Sequence, residues 1–397
     1  MAAVPERSFA DRAEREHYLR RHAHAVYDAL TAERTRFVRV DELCRQASIA
    51  YPGLLPTAEQ LAAEARLPLA DKQGLEIDQA LFVAHVLADP AAGMHLCHAM
   101  LLPREEARAR LPELERAGEI DLGGAHLARR GKASVLTMRN PRFLNAEDET
   151  TIDAMEIAVD LALLDPKTEV CVLRGGPVEH PKYAGKRLFG AGINLTHLYQ
   201  GRIRFLWYLI RDLGFVNKFY RGLALPEISP EEGSIEKLWI AAVEGFAIGG
   251  HCQVLLTMDQ VIATEDAYMT LPARKEGIVP GAANLRLARH LGARLARQAV
   301  LAERRLDCAS PEGRLICDVI VAPEAMDAEI ERMVAHLTGS GMVSAASNRR
   351  AFRAGEEPLD AFRRYMATYT PEQAYCHFSP ALIANLEKNW DAASRRG

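Results

Sequence analysis

The chain has 397 residues, long for one hydrophobic core, so a single large domain carrying helical additions is the expected organisation. Apolar residues make up 49%, enough for a substantial interior, and the formal net charge of −4 argues against a general nucleic-acid binder, whose footprint is basic. Seven cysteines without CxxC spacing suit a reducing compartment.

The first residues lack the charged start, apolar run and cleavage site of a secretory signal. No stretch approaches the ~20 apolar residues of a membrane span. A cytoplasmic protein without a membrane partner is expected.

From Arg7 to about Ala117 the chain reads as helices. AEQLAAEARL (58–67) and LPREEARARLPELERAG (102–118) place apolar residues at helical spacing, with Pro and Gly punctuation at 51–56 and 89–93. This part shows no nucleotide loop and no repeat, which leaves packing or oligomerisation as its plain role. The texture changes near Gly131. ASVLTMRN (133–140) is a short apolar run ending in a turn, and residues 150–164 have the pattern of an amphipathic helix. TEVCVLRGG (168–176) reads as a buried strand, and KLWIAAVEG (237–245) and QVIATEDAYMT (260–270) repeat that texture, each after a helical segment. Alternation of this kind predicts an α/β fold with parallel pairing. Beyond Pro323 helices return. The expected organisation is a helical domain over 1–130, an α/β core over 131–323 and a helical region over 324–397.

Three stretches carry the chemistry. RLFGAGINL (187–195) is a glycine-rich turn before a helical segment. AAVEGFAIGGHCQVLLTMD (241–259) places Gly249-Gly250 where a helix should start, and MTLPARKEGIVPGAANLRL (269–287) follows. Glycine lets a ligand approach the backbone, and a helix start leaves amide donors free. Two such turns meeting would form an oxyanion hole; either alone would be only a turn or a close packing contact.

In this order and spacing the three stretches resemble the crotonase (enoyl-CoA hydratase/isomerase) family. Its F-x-A-G-x-D-like turn is matched by Phe189 to Asn194, its G-x-x-x-G-G-G-C-E-like segment by Gly245 to Gln253, and its P-G-A segment begins at Pro280. The resemblance implies a ββα spiral core, CoA thioester substrates, homo-oligomers (trimers or paired trimers) and a grip on the thioester oxygen by the amides of Ile193 and Gly250. The two glutamates by which hydratases of the family activate water fall on Gln253 and Ala273, and Gln cannot take a proton from water at neutral pH.

Within the family the chain is most similar to one branch, the cofactor-independent 3,5-dihydroxyphenylacetyl-CoA dioxygenases of glycopeptide-antibiotic biosynthesis. INLTHLYQGRIRFLWYLIRDLG (193–214), EGFAIGGHCQVLLTMD (244–259), the 269–287 stretch and EQAYCHFSPALIANLE (372–387) carry that likeness. It implies oxygenation of an aryl-acetyl-CoA through a Cα carbanion, with O2 as co-substrate and no metal or flavin. No histidine spacing suggests a metal site.

At the phenol end the expected residues are Glu147 and Arg211, with Gln253 nearest the reacting carbon. Glu147 could equally be a first-turn helix acid, and Arg211 a snorkelling arginine on a core helix. Gly192, Asn194 and Ile248 should line the substrate, and Gln373 is a candidate on a lid. For the CoA arm the family positions fall on Arg142, Ala191 and His180-Pro181-Lys182-Tyr183, which otherwise read as solvated loop. His251 reads as packing rather than base. Hydrolysis or isomerisation on the same scaffold, or a CoA-ester-binding protein without turnover, remain alternatives, and the proton acceptor stays open.

Overall fold

The computed structural model describes residues 9–339 and 341–395. Its centre is a seven-stranded sheet in the order Glu119–Asp121, Ala125–Arg130, Ala133–Met138, Val170–Gly175, Leu238–Val243, Gln260–Thr264, Val319–Val321. The first three strands pair antiparallel, and every later pairing is parallel. The run VCVL is apolar throughout because both faces are covered. Successive side chains of a strand point to opposite faces, so Cys171 and Leu173 join the main core, while Val170 and Val172 pack with Ile240, Ile262, Ile330 and Met333 on the other side.

The 260–270 run, expected as one strand, divides. Gln260–Thr264 stays in the large sheet, the exposed Glu265-Asp266 turns the chain, and Tyr268–Thr270 enters a second, three-stranded sheet. There it lies parallel to Phe246–Ile248. This small sheet carries the Gly249-Gly250 turn, and the Gly249 amide donates to the Thr270 carbonyl at 2.8 Å.

Helix Ile152–Leu164 is covered on both sides rather than amphipathic with a wet face. Its polar positions Glu156 and Asp160 are buried, and Lys218 reaches them at 2.8 and 2.7 Å. Arg39, from the N-terminal helices, pairs with Glu156 at 2.7 Å. A boundary at residue 130 likewise does not follow the sheet, because strands Glu119–Asp121 and Ala125–Arg130 belong to it. The terminal regions also meet each other: helix Leu359–His377 packs along helix Glu76–Ala88, and one hydrophobic cluster runs from Leu19 to Ala392. Among the described residues no single helix is long and apolar enough to cross a membrane.

Candidate active site

The turn around Ile193 is held from both sides. The Gly190 amide donates to the Phe246 carbonyl at 3.1 Å, and the Ile248 amide returns to Gly190 at 3.0 Å. One step on, the Glu147 amide donates to the Gly192 carbonyl at 2.7 Å and the Asn194 amide to the Glu147 carbonyl at 2.8 Å. The Gly192 amide donates to His251 Nδ1 at 3.0 Å. Burial pushes His251 down to about 4, so the ring is neutral and free to accept that bond. Gly192 has φ +78°, and a Cβ on it would lie 2.8 Å from the Ile248 carbonyl oxygen and 3.3 Å from the Gly250 nitrogen. The two turns therefore touch, and only glycine fits between them. Among the described residues neither the Ile193 nor the Gly250 amide has a hydrogen-bond acceptor. Both residues line the same cavity.

That inner cavity is small, about 30 Å³, and is walled by Trp207, Leu271, Val279 and Tyr369. Its polar end is built on Arg211, which is buried on a helix, Phe205–Leu213, whose described residues are all buried. Nε donates to Glu147 Oε1 at 3.0 Å, Nη1 to Asp212 at 2.7 Å and Gln253 Oε1 at 3.1 Å, and Nη2 to the Gly250 carbonyl at 2.8 Å. Burial alone would disfavour the guanidinium charge, but Glu147 and Asp212 outweigh it and hold the group above its ordinary value. The second Glu147 oxygen, Oε2, forms an ion pair with Nη2 at 2.9 Å without the alignment of a hydrogen bond, and has no hydrogen-bond partner. A Cβ on Gly250 would meet that oxygen at 2.3 Å. Glu147 thus precedes its helix and faces the cavity, and Arg211 is an internal ion-pair hub rather than a snorkelling side chain. Trp207 Nε1 and Tyr369 Oη, on two other lining residues, are also buried without a partner.

An outer cleft of about 820 Å³ opens beside the cavity. Arg142, His180, Tyr183, Ala191, Asn194 and Ile248 line it. Pro181 and Lys182 sit exposed in the same loop, with Lys182 Nζ 5.0 Å from the Tyr183 ring centre. The sequence reading missed Lys275, Trp390 and Arg395, which complete this cleft. Lys275 lies in a stretch already singled out, whereas Trp390 and Arg395 come from the tail, where no local motif marks them. Gln373 is fully buried, and its Oε1 accepts from the Val279 amide at 2.7 Å. It stands behind the cavity wall, not at the mouth where a lid residue would be.

Ile193 and Glu276 are the two residues that line both spaces. Ala273, at the family's second acid position, lines the inner cavity with a methyl group, and Gln253 presents an amide there. Among the described residues no group of three or more His, Cys, Asp or Glu is placed to hold a metal ion.

Residues 130–374 match the family Enoyl-CoA hydratase/isomerase. The (3,5-dihydroxyphenyl)acetyl-CoA 1,2-dioxygenase of Amycolatopsis orientalis is 49% identical over 376 residues, covering 94% of this chain and 86% of that protein. Carnitinyl-CoA dehydratase of Salmonella enteritidis PT4 (strain P125109) is 29% identical over 244 residues, covering 61% of this chain and 85% of its own length. Among solved structures, an enoyl-CoA hydratase from Mycobacterium avium subsp. paratuberculosis K-10 superposes with a TM-score of 0.56 at 19% identity, over 70% of this chain and all of that one. The crotonase-like core, the paired glycine turns and these relatives agree: the chain belongs to the enoyl-CoA hydratase/isomerase family.

Proposed function

We propose that the chain is a dioxygenase that converts (3,5-dihydroxyphenyl)acetyl-CoA and O2 to 3,5-dihydroxyphenylglyoxylate and CoA, using no metal or flavin. The observation that carries this reading is the pair of unpartnered amides, Ile193 and Gly250, on a cavity that has lost both hydratase glutamates. The relative at 49% identity supports the substrate and the reaction class.

The aryl ring enters the inner cavity and the pantetheine arm follows the outer cleft, which puts the thioester at their junction. One phenol hydroxyl donates to Glu147 Oε2, the carboxylate oxygen left without a donor. A Cα proton between a thioester and an aryl ring is already acidic, since the carbanion spreads into both. As it leaves, charge grows on the thioester oxygen, where the two amides meet it; one such donor is worth roughly 3–4 kcal/mol. The electron-rich carbanion passes an electron to O2, and recombination forms a Cα peroxide. The peroxide attacks the thioester carbonyl, CoA departs, and cleavage of the O–O bond with loss of the second Cα proton leaves the α-keto acid. Gln253, whose Oε1 is engaged by Arg211, lines this centre without offering water a base.

Arg142, His180, Tyr183 and Ala191 are read as holding the CoA arm. Seven free cysteines support a cytoplasmic location, and the trimer or hexamer implied by the family belongs to the same reading. The test is incubation of the protein with aryl-acetyl-CoA esters under air and under argon, with O2 uptake and products followed by electrode and mass. Keto acid and free CoA formed only in air, one O2 for each, are expected. CoA release at equal rate under argon would make the protein a hydrolase, and binding without turnover in air would make it a CoA-ester-binding protein.

A further inference from the structure

We infer that Glu276 is the catalytic base that takes the Cα proton, an assignment that rests on the reaction proposed above. Its place in the fold carries the argument. The helix Ala273–Glu276 follows Pro272, and its first and last residues stand three apart, on one face of a single turn. Ala273 is where hydratases of the family carry an acid, so this chain presents a carboxyl one turn further along the same wall. Both residues line the inner cavity, but Glu276 also borders the outer cleft, a position shared only with Ile193 among the described lining residues. A substrate with its ring inside and its pantetheine outside has its thioester, and the Cα next to it, at that junction. One amide of the oxyanion pair and one carboxyl therefore flank the same two carbon atoms.

The side chain is also in the right condition for the task. Glu276 is 4% exposed and lines the inner cavity, and among the described residues no hydrogen bond or ion pair reaches its carboxyl. Every other acid on the inner cavity is occupied: Glu147 and Asp212 by Arg211. A buried carboxylate without a partner is costly to keep for packing alone. Burial lifts it to about 7, against which only Lys275 beside it pulls. A base in that range is half ionised near neutral pH and well matched to proton transfer.

The balance of the steps follows. The Cα–H bond breaks, its proton passes to a Glu276 oxygen, and its electron pair moves into the enolate held by Ile193 and Gly250. The negative charge moves from carboxylate to enolate, so no second charge builds up beside the carbanion. When CoA leaves as thiolate, Glu276 returns the proton to sulfur. The regenerated carboxylate can then take the second Cα proton as the O–O bond breaks, and release it to solvent through the cleft. O2 is the only oxidant, and it is the co-substrate of the reaction.

The test uses the full chain and (3,5-dihydroxyphenyl)acetyl-CoA in D2O under argon, with deuterium entry at Cα followed by mass and NMR. The wild type should exchange, and Glu276→Gln should lower the exchange rate by about 10²–10⁴-fold, the usual contribution of a positioned base. Glu276→Asp should recover part of it. Affinity for a non-reactive CoA thioether of the same acyl group should change less than about threefold, which separates a base from a packing residue. If the abstracted proton returns internally and the wild type shows no exchange, O2 uptake in air must show the same loss. Exchange or O2 uptake in Glu276→Gln within about threefold of the wild type would overturn the assignment. Exchange that depends on Glu276 in a protein that takes up no O2 would sink the dioxygenase reading and leave the base standing. A wild type that does neither would overturn both.

Discussion

Arg211 Nη2 donates to the carbonyl oxygen of Gly250 at 2.8 Å while Nε of the same guanidinium holds Glu147 at 3.0 Å. The group proposed to meet the phenol end of the substrate and the turn proposed to meet its thioester are thus fastened to one side chain. Recognition of the ring and shaping of the amide pair cannot be separated at this residue.

Arg211→Lys should therefore damage both. An ammonium cannot reproduce a fork that engages Glu147, Asp212, Gln253 and a carbonyl together. Steady-state kinetics should show kcat lowered by about 10²-fold and KM raised as well. A variant with only KM raised would confine Arg211 to ring binding.

The raised Glu276 carboxyl has a stability consequence that does not depend on turnover. Its value is about 7 in the fold against an ordinary 4.5, so its contribution is fully present below the ordinary value and lost as pH rises through about 7. The loss is roughly 3 kcal/mol for a shift of this size. Glu276→Gln keeps the neutral form at every pH. Its melting temperature should exceed that of the wild type at about pH 8.5 and match it at about pH 4. Equal curves at both would show that Glu276 titrates normally.

Restoring the hydratase acids should harm oxygenation. Glu at both Gln253 and Ala273 adds carboxyls to a buried site beside a forming carbanion, which is repulsive unless they are neutralised. Glu at 253 also replaces the amide that Arg211 engages at 3.1 Å. Turnover in the double variant Gln253→Glu/Ala273→Glu should fall by more than about tenfold, and unchanged O2 uptake would mean the site lies elsewhere.

Tyr369 Oη lies buried on the cavity without a partner, opposite in character to Glu147 Oε2, since a hydroxyl can donate as well as accept. Tyr369→Phe should weaken a dihydroxyphenyl substrate by about 3–10-fold and a monohydroxyphenyl analogue less. Equal losses for the two would remove Tyr369 from hydroxyl recognition.

Much of this was readable in the sequence where the constraint is local. Gly192 and Gly250 are required by backbone approach at single positions, and the runs at 170–175 and 238–243 are apolar because strands buried on both faces must be. What could not be read depends on contacts between distant segments. Glu156 and Asp160 look like a wet helix face until Lys218 and Arg39 are brought to them. Glu276 sits in an RKE run that no local pattern marks as buried, and the packing of its short helix against helices Ala283–Leu301 and Pro380–Trp390, at the cavity wall, encloses it. Trp390 and Arg395 reach the outer cleft from more than a hundred residues beyond the Gly249-Gly250 turn, a closure that no local pattern encodes.

The central claim is that the Gly250 amide holds charge that appears only as Cα loses its proton. Replacing the peptide bond between Gly249 and Gly250 by an ester, through incorporation of glycolic acid at position 250, deletes the donor and keeps the shape. Single-turnover keto-acid formation in air is the direct measurement, beside binding of the non-reactive thioether. The account expects the rate to fall by about 10²–10³-fold with affinity nearly unchanged. An ester enzyme that turns over at the wild-type rate would contradict it, and Ile193 would lose its role with Gly250.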